Sequence, residues 1–510
     1  MWIAVLVLAL VATGLAVIRQ MHIFQLNSYS PPTHLPWLIK HRSYWVPAVV
    51  ALLIGLLSLV WLVGAGVIAV VWLLIAILVN WPQRGAKKPL VYTSRVVRML
   101  VTVGVLVVAL TVAVVLVPAD VRILVASLCF VLTPLWVVLA NAINGPIEAG
   151  VRQHYLNDAK RLLASHPTLK VIGITGSYGK TSVKYYLTTL LKGGFNVLMT
   201  PESYNTPMGI TKTIRAELRA THEIFVCEMG AKQLGEIKQD CDLVNPSIGI
   251  ITAIGEQHLE TFGSQANILA TKLELAVAVR GKGAVYLNGD NDILRANQPD
   301  QERKLYGLGT DNDSFAYDIS VTLTGSIFSV NHQGRQLTDL ATPLIGRHTI
   351  QNLAGAIAVA LDLGLSEAQL RAQLRKLEPA PHRLALSRQG SVTIIDDAYN
   401  SNPAGAKAAL DTLSLFDATK ILITPGMVEL GERQEALNEE FGIQAAICDH
   451  VFLVGAKQTE PIARGLAKAG FDPARLTVVE DVNQAITGAY ALPATGNKVI
   501  LLENDLPDNY

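Results

Sequence analysis

Long apolar runs crowd the first 145 residues, and the chain then changes to short apolar runs separated by polar turns. Trp2 to Ile18 is the first of the long runs, and Val101 to Val117 and Ile123 to Leu139 are the last two. Between them lies Trp45 to about Leu78, which as one helix would measure roughly 50 Å against a hydrocarbon core of about 30 Å. Two helices turning near Gly64-Ala65-Gly66 are therefore expected there. The pattern predicts an α-helical membrane domain of about five spans over residues 1–145.

Basic residues alternate between the loops. Arg19, Lys40 and Arg42 fall in the first loop and Arg84, Lys87, Lys88, Arg95 and Arg98 in the third. The short loops at 64–66 and 118–120 carry almost none, apart from Arg122 beside the second. The positive-inside rule then places the N-terminus outside the cell membrane, with everything after about residue 145 cytoplasmic. No basic stretch precedes Trp2 to Ile18, so that run reads as an anchor in a multi-pass protein and not as a cleaved signal peptide. No charge lies deep within a span, which disfavours an ion or proton pathway. Met21 to Trp37 reads as an interfacial stretch.

Beyond the membrane part, period-two and period-3.6 patterns alternate. A short amphipathic helix is expected over Asp158 to His166 and another helix over Val183 to Leu191. Strands are expected at Val171 to Thr175, Asn196 to Thr200, Glu223 to Met229 and Ile248 to Ile254, and a polar turn at Ser203 to Gly209 enters a further helix. Strands alternating with helices imply α/β architecture with a mostly parallel sheet, in which ligands sit at the carboxyl ends of the strands. We expect a central domain over 146–340 and a third domain, again with β/α alternation, over 341–510.

Composition adds exclusions. The 510 residues carry a net charge of +1, which argues against a general nucleic-acid binder. Cys129, Cys227, Cys241 and Cys448 are scattered, which suits a reducing compartment and disfavours a zinc site or disulfide framework.

The candidate chemistry begins at Thr175-Gly176-Ser177-Tyr178-Gly179-Lys180-Thr181-Ser182. A strict GxxxxGK[ST] loop would need glycine where Ile174 stands, so this is a shorter phosphate loop between a buried strand and a helix. Such a loop turns successive backbone N–H groups toward one point, beside the positive end of the helix. Lys180 can reach the outer phosphates of a nucleotide, and the Thr181 hydroxyl can take a place on Mg²⁺. Glu228 and His258 follow two other strands of the same sheet edge. Alone, each reads as a solvated carboxylate or a structural histidine; beside a phosphate loop both become Mg²⁺ candidates.

The ordered set of motifs resembles the Mur ligases. It comprises the phosphate loop, Asn205 with Gly209, Cys227-Glu228-Met229-Gly230-Ala231, the stretch Ile254 to Ser264, Leu287 to Asp290, Gly346-Arg347-His348 with Asn352, Pro381-His382-Arg383, Asp396 to Pro403 and Met427 to Glu432. Within that family the likeness is greatest to the D-alanyl-D-alanine-adding members. The resemblance implies a P-loop central ligase domain and a Rossmann-like C-terminal domain. It implies an ATP-dependent amide-forming ligase, in which a substrate carboxylate becomes an acyl phosphate and an amine displaces phosphate. By that likeness Thr175 to Ser182, with Asn205, hold the nucleotide; Thr181 and Glu228 bind one Mg²⁺ and His258 a second. Lys272 matches the lysine that the family carbamylates, which would turn a cation into an anion able to help hold metal. His348 and Asn352 would approach base and ribose, Arg383 the γ-phosphate, and Asp397, Tyr399 and Asn400 the nucleotide from the far side.

Two features depart from the family. Membrane spans stand where the UDP-binding domain is usual, and Leu501 to Tyr510 stands where a Lys-Gly-Ser-Arg segment is usual. The expected partners are ATP, membrane lipid, a cell-wall precursor that is nucleotide-linked or lipid-linked, and an amino acid or dipeptide. Two rival readings stay open: a membrane scaffold that binds nucleotide without catalysis, and a Mur-like ligase with a substrate outside peptidoglycan. A transporter is disfavoured by the apolar spans.

Overall fold

The computed structural model describes residues 2–58, 60, 62–80, 89–116, 118, 122–257, 259–322, 324–399, 401–493 and 496–505. The chain forms two compact units, one over Met1–His154 and one over Tyr155–Leu506.

The first unit is helical. Its helices are α1 (Trp2–Leu26), α2 (Pro31–Lys40), α3 (Arg42–Leu57), α4 (Leu62–Asn80), α5 (Ser94–Leu116), α6 (Arg122–Val131) and α7 (Thr133–Ala164). Alanines 9, 12 and 16 of α1 pack with Ala51, Ala76 and Ala126, small side chains that let apolar helices approach closely. Among the described residues, Val7–Leu26 and Ser94–Val112 are long and apolar enough to cross a membrane. A third candidate arises if α6 and α7, bent by 64°, form one span, and Val67–Asn80 is apolar but shorter.

Four expectations about this region are corrected. The break in the long apolar run falls at Ser58 and not at Gly64–Gly66, which lie inside α4. Glycine costs a helix only about 1 kcal/mol, whereas the Ser58 hydroxyl satisfies a free carbonyl at the end of α3, donating to Gly55 O at 2.6 Å. The stretch Met21 to Trp37 is helical on both sides of a turn, with proline opening α2 where its missing N–H costs nothing. Arg19 lies inside the Val7–Leu26 stretch and donates from Nη1 to Asn80 Oδ1 at 3.4 Å. The expected division at 145/146 also falls within a continuous helix, since α7 runs through it.

In the second unit the first sheet is built from β1 (Lys170–Thr175), β2 (Val197–Met199), β3 (Ile224–Glu228), β4 (Ile248–Ile251), β5 (Val285–Asn288), β6 (Arg303–Gly307), β7 (Ser314–Thr322), β8 (Gly325–His332) and β9 (Arg335–Thr342). The order is β2-β3-β1-β4-β5-β6-β7-β8-β9. Pairs from β2 to β7 are parallel, so the mostly parallel expectation fits. The β7–β8–β9 meander is antiparallel, an extension that strand–helix alternation does not foreshadow.

The helices of this sheet are α8 (Lys180–Leu191), α9 (Pro207–Glu217), α10 (Glu236–Val244), α11 (Leu259–Phe262), α12 (Gln265–Val279), α13 (Asp292–Ala296), α14 (Arg347–Asp362) and α15 (Glu367–Leu374). Alternation along the strands sends Ile172, Ile174 and Val226 to the face covered by α8 and α14. Val171, Phe225 and Cys227 go to the other face, under α9, α10 and α12. Ile350, Leu353, Ile357, Leu370 and Leu374 belong to the first of these cores. Residues 341–377 therefore pack with the central sheet, and the expected boundary at 340/341 moves to about 380. The reason is burial: α14 lies so close to β6 that a Cβ on Gly355 would sit 2.7 Å from the Tyr306 ring.

A second sheet follows, of order β10-β11-β15-β12-β13-β14. It comprises β10 (Ala385–Gln389), β11 (Val392–Asp397), α16 (Pro403–Ser414), β12 (Thr419–Thr424), α17 (Gln434–Gln444), β13 (His450–Val454), α18 (Ala456–Lys468), β14 (Leu476–Val479), α19 (Val482–Ala491) and β15 (Lys498–Glu503). Among the described residues of this sheet only the β10–β11 pair is antiparallel, so this lobe has the α/β character the sequence predicts.

Candidate active site

The site grows from the carboxyl end of β1. Gly176 and Gly179 take φ of 146° and 79°, backbone that side-chain-bearing residues rarely adopt. They bend the chain so that Gly179 becomes the N-cap of α8. The loop is fastened to the residues after β4: Ser177 N donates to Ala253 O at 2.7 Å, Ser177 Oγ to Gly255 O at 3.1 Å, and the Thr252 hydroxyl to Tyr178 O. From behind, Asn352 of α14 closes on Gly179, where a Cβ would lie 2.7 Å from Asn352 Oδ1.

Lys180 folds back over this loop, with Nζ donating to Gly176 O at 2.7 Å and Ser177 O at 3.0 Å. Burial lowers its pKa to about 8, opposed by the Glu228 charge and assisted by Arg383. Glu228 ends β3 and gathers three partners. Thr181 Oγ1 donates to its Oε1 at 3.2 Å and Asn205 Nδ2 at 3.1 Å. Its Oε2 faces Lys184 Nζ at 3.0 Å. That oxygen is buried without a hydrogen bond of good angle, so the Lys184 interaction is an ion pair with acceptor capacity left over. A hydroxyl and a carboxylate with a spare buried lone pair are the hard oxygen donors that Mg²⁺ takes alongside phosphate oxygens. Among the described residues no three His, Cys, Asp or Glu side chains converge as a metal cluster.

Lys272 of α12 is buried, with Nζ 5.6 Å from the Phe262 ring centroid. Burial, and then the Lys180 charge, lower its pKa to about 7. His258 and Asn400 lie outside the described residues.

The second lobe supplies Arg383, between His382 and Leu384, whose φ values of 55° and 48° turn the chain sharply. Its guanidinium stacks over Tyr399 at 4.4 Å. Burial lowers its pKa, while Asp397, Tyr399 and Glu228 act the other way. Asp397 accepts from Leu384 N at 3.2 Å, and burial lifts its carboxyl to about 6 despite Arg383. His348 is held neutral by burial, at about 4, and burial pushes the Tyr186 hydroxyl up to about 12. Among the described residues two ion pairs tie the lobes: Arg433 with Glu256, and Lys232 Nζ with Glu429 Oε1 at 3.8 Å.

The fold thus brings Thr175 to Ser182, Asn205, Glu228, Lys272, Asn352, Arg383, Asp397 and Tyr399 around one loop. Sequence reasoning missed Lys184 and the lobe-tying pair Arg433–Glu256. Lys184 had a readable signal: a lysine four residues after Lys180, on the face of α8 that carries Val183, Leu187 and Leu191, needs a buried partner. Arg433 and Glu256 are 177 residues apart and had none.

Residues 174–360 match the Mur ligase middle domain, and residues 382–503 the Mur ligase glutamate ligase domain. The chain belongs to the Mur ligase family. Among its Mur ligase relatives, the UDP-N-acetylmuramoyl-tripeptide–D-alanyl-D-alanine ligase of Bacillus subtilis (strain 168) is 34% identical over 304 residues, 59% of this chain and 65% of that one. The same-named ligase of Escherichia coli (strain K12) is 31% identical over 301 residues, 58% of this chain and 66% of that one. The chain thus spans just under two thirds of the length of these relatives. The crystal structure of MurF from Acinetobacter baumannii aligns with a TM-score of 0.62 at 25% identity, covering 70% of this chain and 78% of that one. MurF from Thermotoga maritima in complex with ADP shares the fold, with a TM-score of 0.62 at 24% identity and 69% and 80% coverage.

Proposed function

We propose that this Mur ligase is a membrane-anchored, ATP- and Mg²⁺-dependent carboxylate–amine ligase. It adds an amino acid or a dipeptide such as D-alanyl-D-alanine to the peptide of a cell-wall precursor. The observation that carries this reading is the meeting of Lys180, Thr181 and Glu228 from one lobe with Arg383 from the other. Such a set neutralises crowded phosphate charge while leaving room for an attacking carboxylate.

In this reading the loop amides and Lys180 hold the outer phosphates, and Arg383 adds a fixed cation with forked donors. Thr181 and Glu228 would hold one Mg²⁺, and His258 with a carbamylated Lys272 would hold a second; the ions would supply neutralisation of the crowded negative charge. His348, Asn352, Asp397, Tyr399 and Asn400 position the nucleotide. The substrate carboxylate attacks the γ-phosphorus, ADP leaves, and the acyl phosphate is then opened by the amine with loss of phosphate. The ADP complex of the Thermotoga relative supports ATP as the co-substrate.

The N-terminal unit anchors the ligase with up to five spans, N-terminus outside, and the ligase lobes face the cytoplasm. The apolar stretches Val7–Leu26 and Ser94–Val112 support this anchoring. The acceptor is a peptidoglycan precursor, nucleotide-linked or lipid-linked.

The test is phosphate release from ATP by the full chain in detergent, screened over both precursor types crossed with amino acids and dipeptides. Activity should appear with one pair and fall by about three orders of magnitude in Lys180→Ala. Full activity in that variant would sink the proposal.

A further inference from the structure

Beside the nucleotide site, α7 and α9 enclose a second feature of the ligase unit. A groove of about 540 Å³ is lined by Tyr155, Met208, Thr211, Lys212, Arg215 and Ala216, within the range of small-molecule sites. Arg215 is pre-positioned: its Nε donates to Asp158 Oδ2 at 2.6 Å, and its guanidinium stacks over Tyr155 at 4.4 Å. One turn away, Lys212 Nζ donates to Tyr204 OH at 2.9 Å. Two cations on a helix are most often a solvated face. The Thr211 hydroxyl makes this groove different, because Oγ1 is buried with no hydrogen-bond partner among the described residues, and Thr211 as a whole is 1% exposed. An unmet buried hydroxyl costs about 1–3 kcal/mol, which a ligand acceptor oxygen would offset.

We propose that this groove holds the diphosphate of the acceptor substrate, an inference that rests on the ligase reading above. Two cations, a hydroxyl donor and an aromatic wall match the oxygens of a diphosphate ester. The groove also stands at a useful distance from the chemistry. α9 begins beside Asn205, which donates to Glu228, and Lys212 and Arg215 lie about 8 to 12 Å along its axis from Pro207. An extended peptide of three or four residues spans about 10–14 Å. A diphosphate in the groove would therefore let a short peptide bring its terminal carboxylate to the Glu228 end. A nucleoside diphosphate sugar and a prenyl diphosphate sugar share this chemistry, so the experiment separates them.

The full chain in detergent micelles is titrated with ATP, with a nucleoside-diphosphate-linked sugar peptide and with a prenyl-diphosphate-linked sugar peptide. Lys212→Glu, at an exposed position, should weaken one of the two sugar peptides about tenfold and leave ATP affinity unchanged. Thr211→Val, which keeps the side-chain shape, should weaken the same probe about threefold. The probe that loses affinity identifies the carrier. If wild type binds neither probe, or if both variants bind as wild type does, the groove is not the diphosphate site. Phosphate release is measured separately. Its absence alongside a Lys212-dependent binding shift would overturn the ligase reading and keep the groove; its presence with no shift would do the reverse.

Discussion

Lys184 Nζ lies 3.0 Å from Glu228 Oε2, and both side chains are closed off from water. The same lysine also donates to the carbonyl of Glu202, so one ammonium joins the end of β3 to the loop before α9. A buried ion pair adds little net stability, but removing one partner leaves an uncompensated charge. Lys184→Met should cost about 3–5 kcal/mol, whereas Lys184→Met combined with Glu228→Gln should recover part of the loss. Chemical denaturation of the ligase unit's tryptophan-free signal, followed by circular dichroism, reads this; a single variant as stable as wild type would refute the assignment.

Gly179 is held at a φ of 79° with Asn352 against it. Gly179→Ala should lose about 1–2 kcal/mol from the left-handed backbone alone and weaken nucleotide binding through displacement of Asn352. Asn352→Ala should relieve the contact but not the backbone cost. Equal nucleotide affinity in wild type and Gly179→Ala, by titration calorimetry, would contradict the loop geometry.

Asp397 gives a pH dependence with a definite sign. Burial raises its carboxyl to about 6, against about 3.9 in an unfolded chain. Between about pH 4 and 6 the folded protein keeps a proton that the unfolded chain has released. The contribution of this group to stability is therefore greatest below about pH 4, falls by about 3 kcal/mol as pH rises through that window, and is flat above it. Arg383→Met removes the opposing cation and should extend the fall above pH 6. Unfolding midpoints from pH 4 to 8 in both proteins test this, and identical profiles would rule it out.

Lys272 is buried beside Lys180, with its pKa lowered to about 7. A neutral amine is the form that adds carbon dioxide, so the carbamate should form at neutral pH and be lost on acidification. Carbon-13 NMR under labelled carbon dioxide should show one carbamate signal that vanishes in Lys272→Met, together with ligase activity. A spectrum without that signal at neutral pH would remove Lys272 from the metal site.

Arg433 and Glu256 join the two lobes across the site. Arg433→Glu places like charges there and should raise KM for ATP several-fold with a smaller effect on kcat. The double variant with Glu256→Arg should restore KM; failure of that rescue would leave the pair without a closing role.

The sequence alone determined the features that local rules write. Gly176 and Gly179 are required where the backbone turns left-handed, so the strand, loop and helix from Val171 to Leu191 were readable within a few residues. The apolar first 145 residues and the strand–helix alternation were equally local, because burial on one face imposes its period on neighbouring positions. The break at Ser58 was misplaced because glycine in an apolar helix is a weak signal beside a serine that can satisfy a carbonyl. Only the tertiary structure decided that α14 belongs to the central sheet, where it sets Asn352 behind Gly179. It alone placed Lys184 against Glu228, and Arg383 within electrostatic reach of Lys180. These pairs are separated by tens to hundreds of residues, and their energy comes from burial shared between elements. No periodicity within a single segment records a charge whose partner arrives from another lobe.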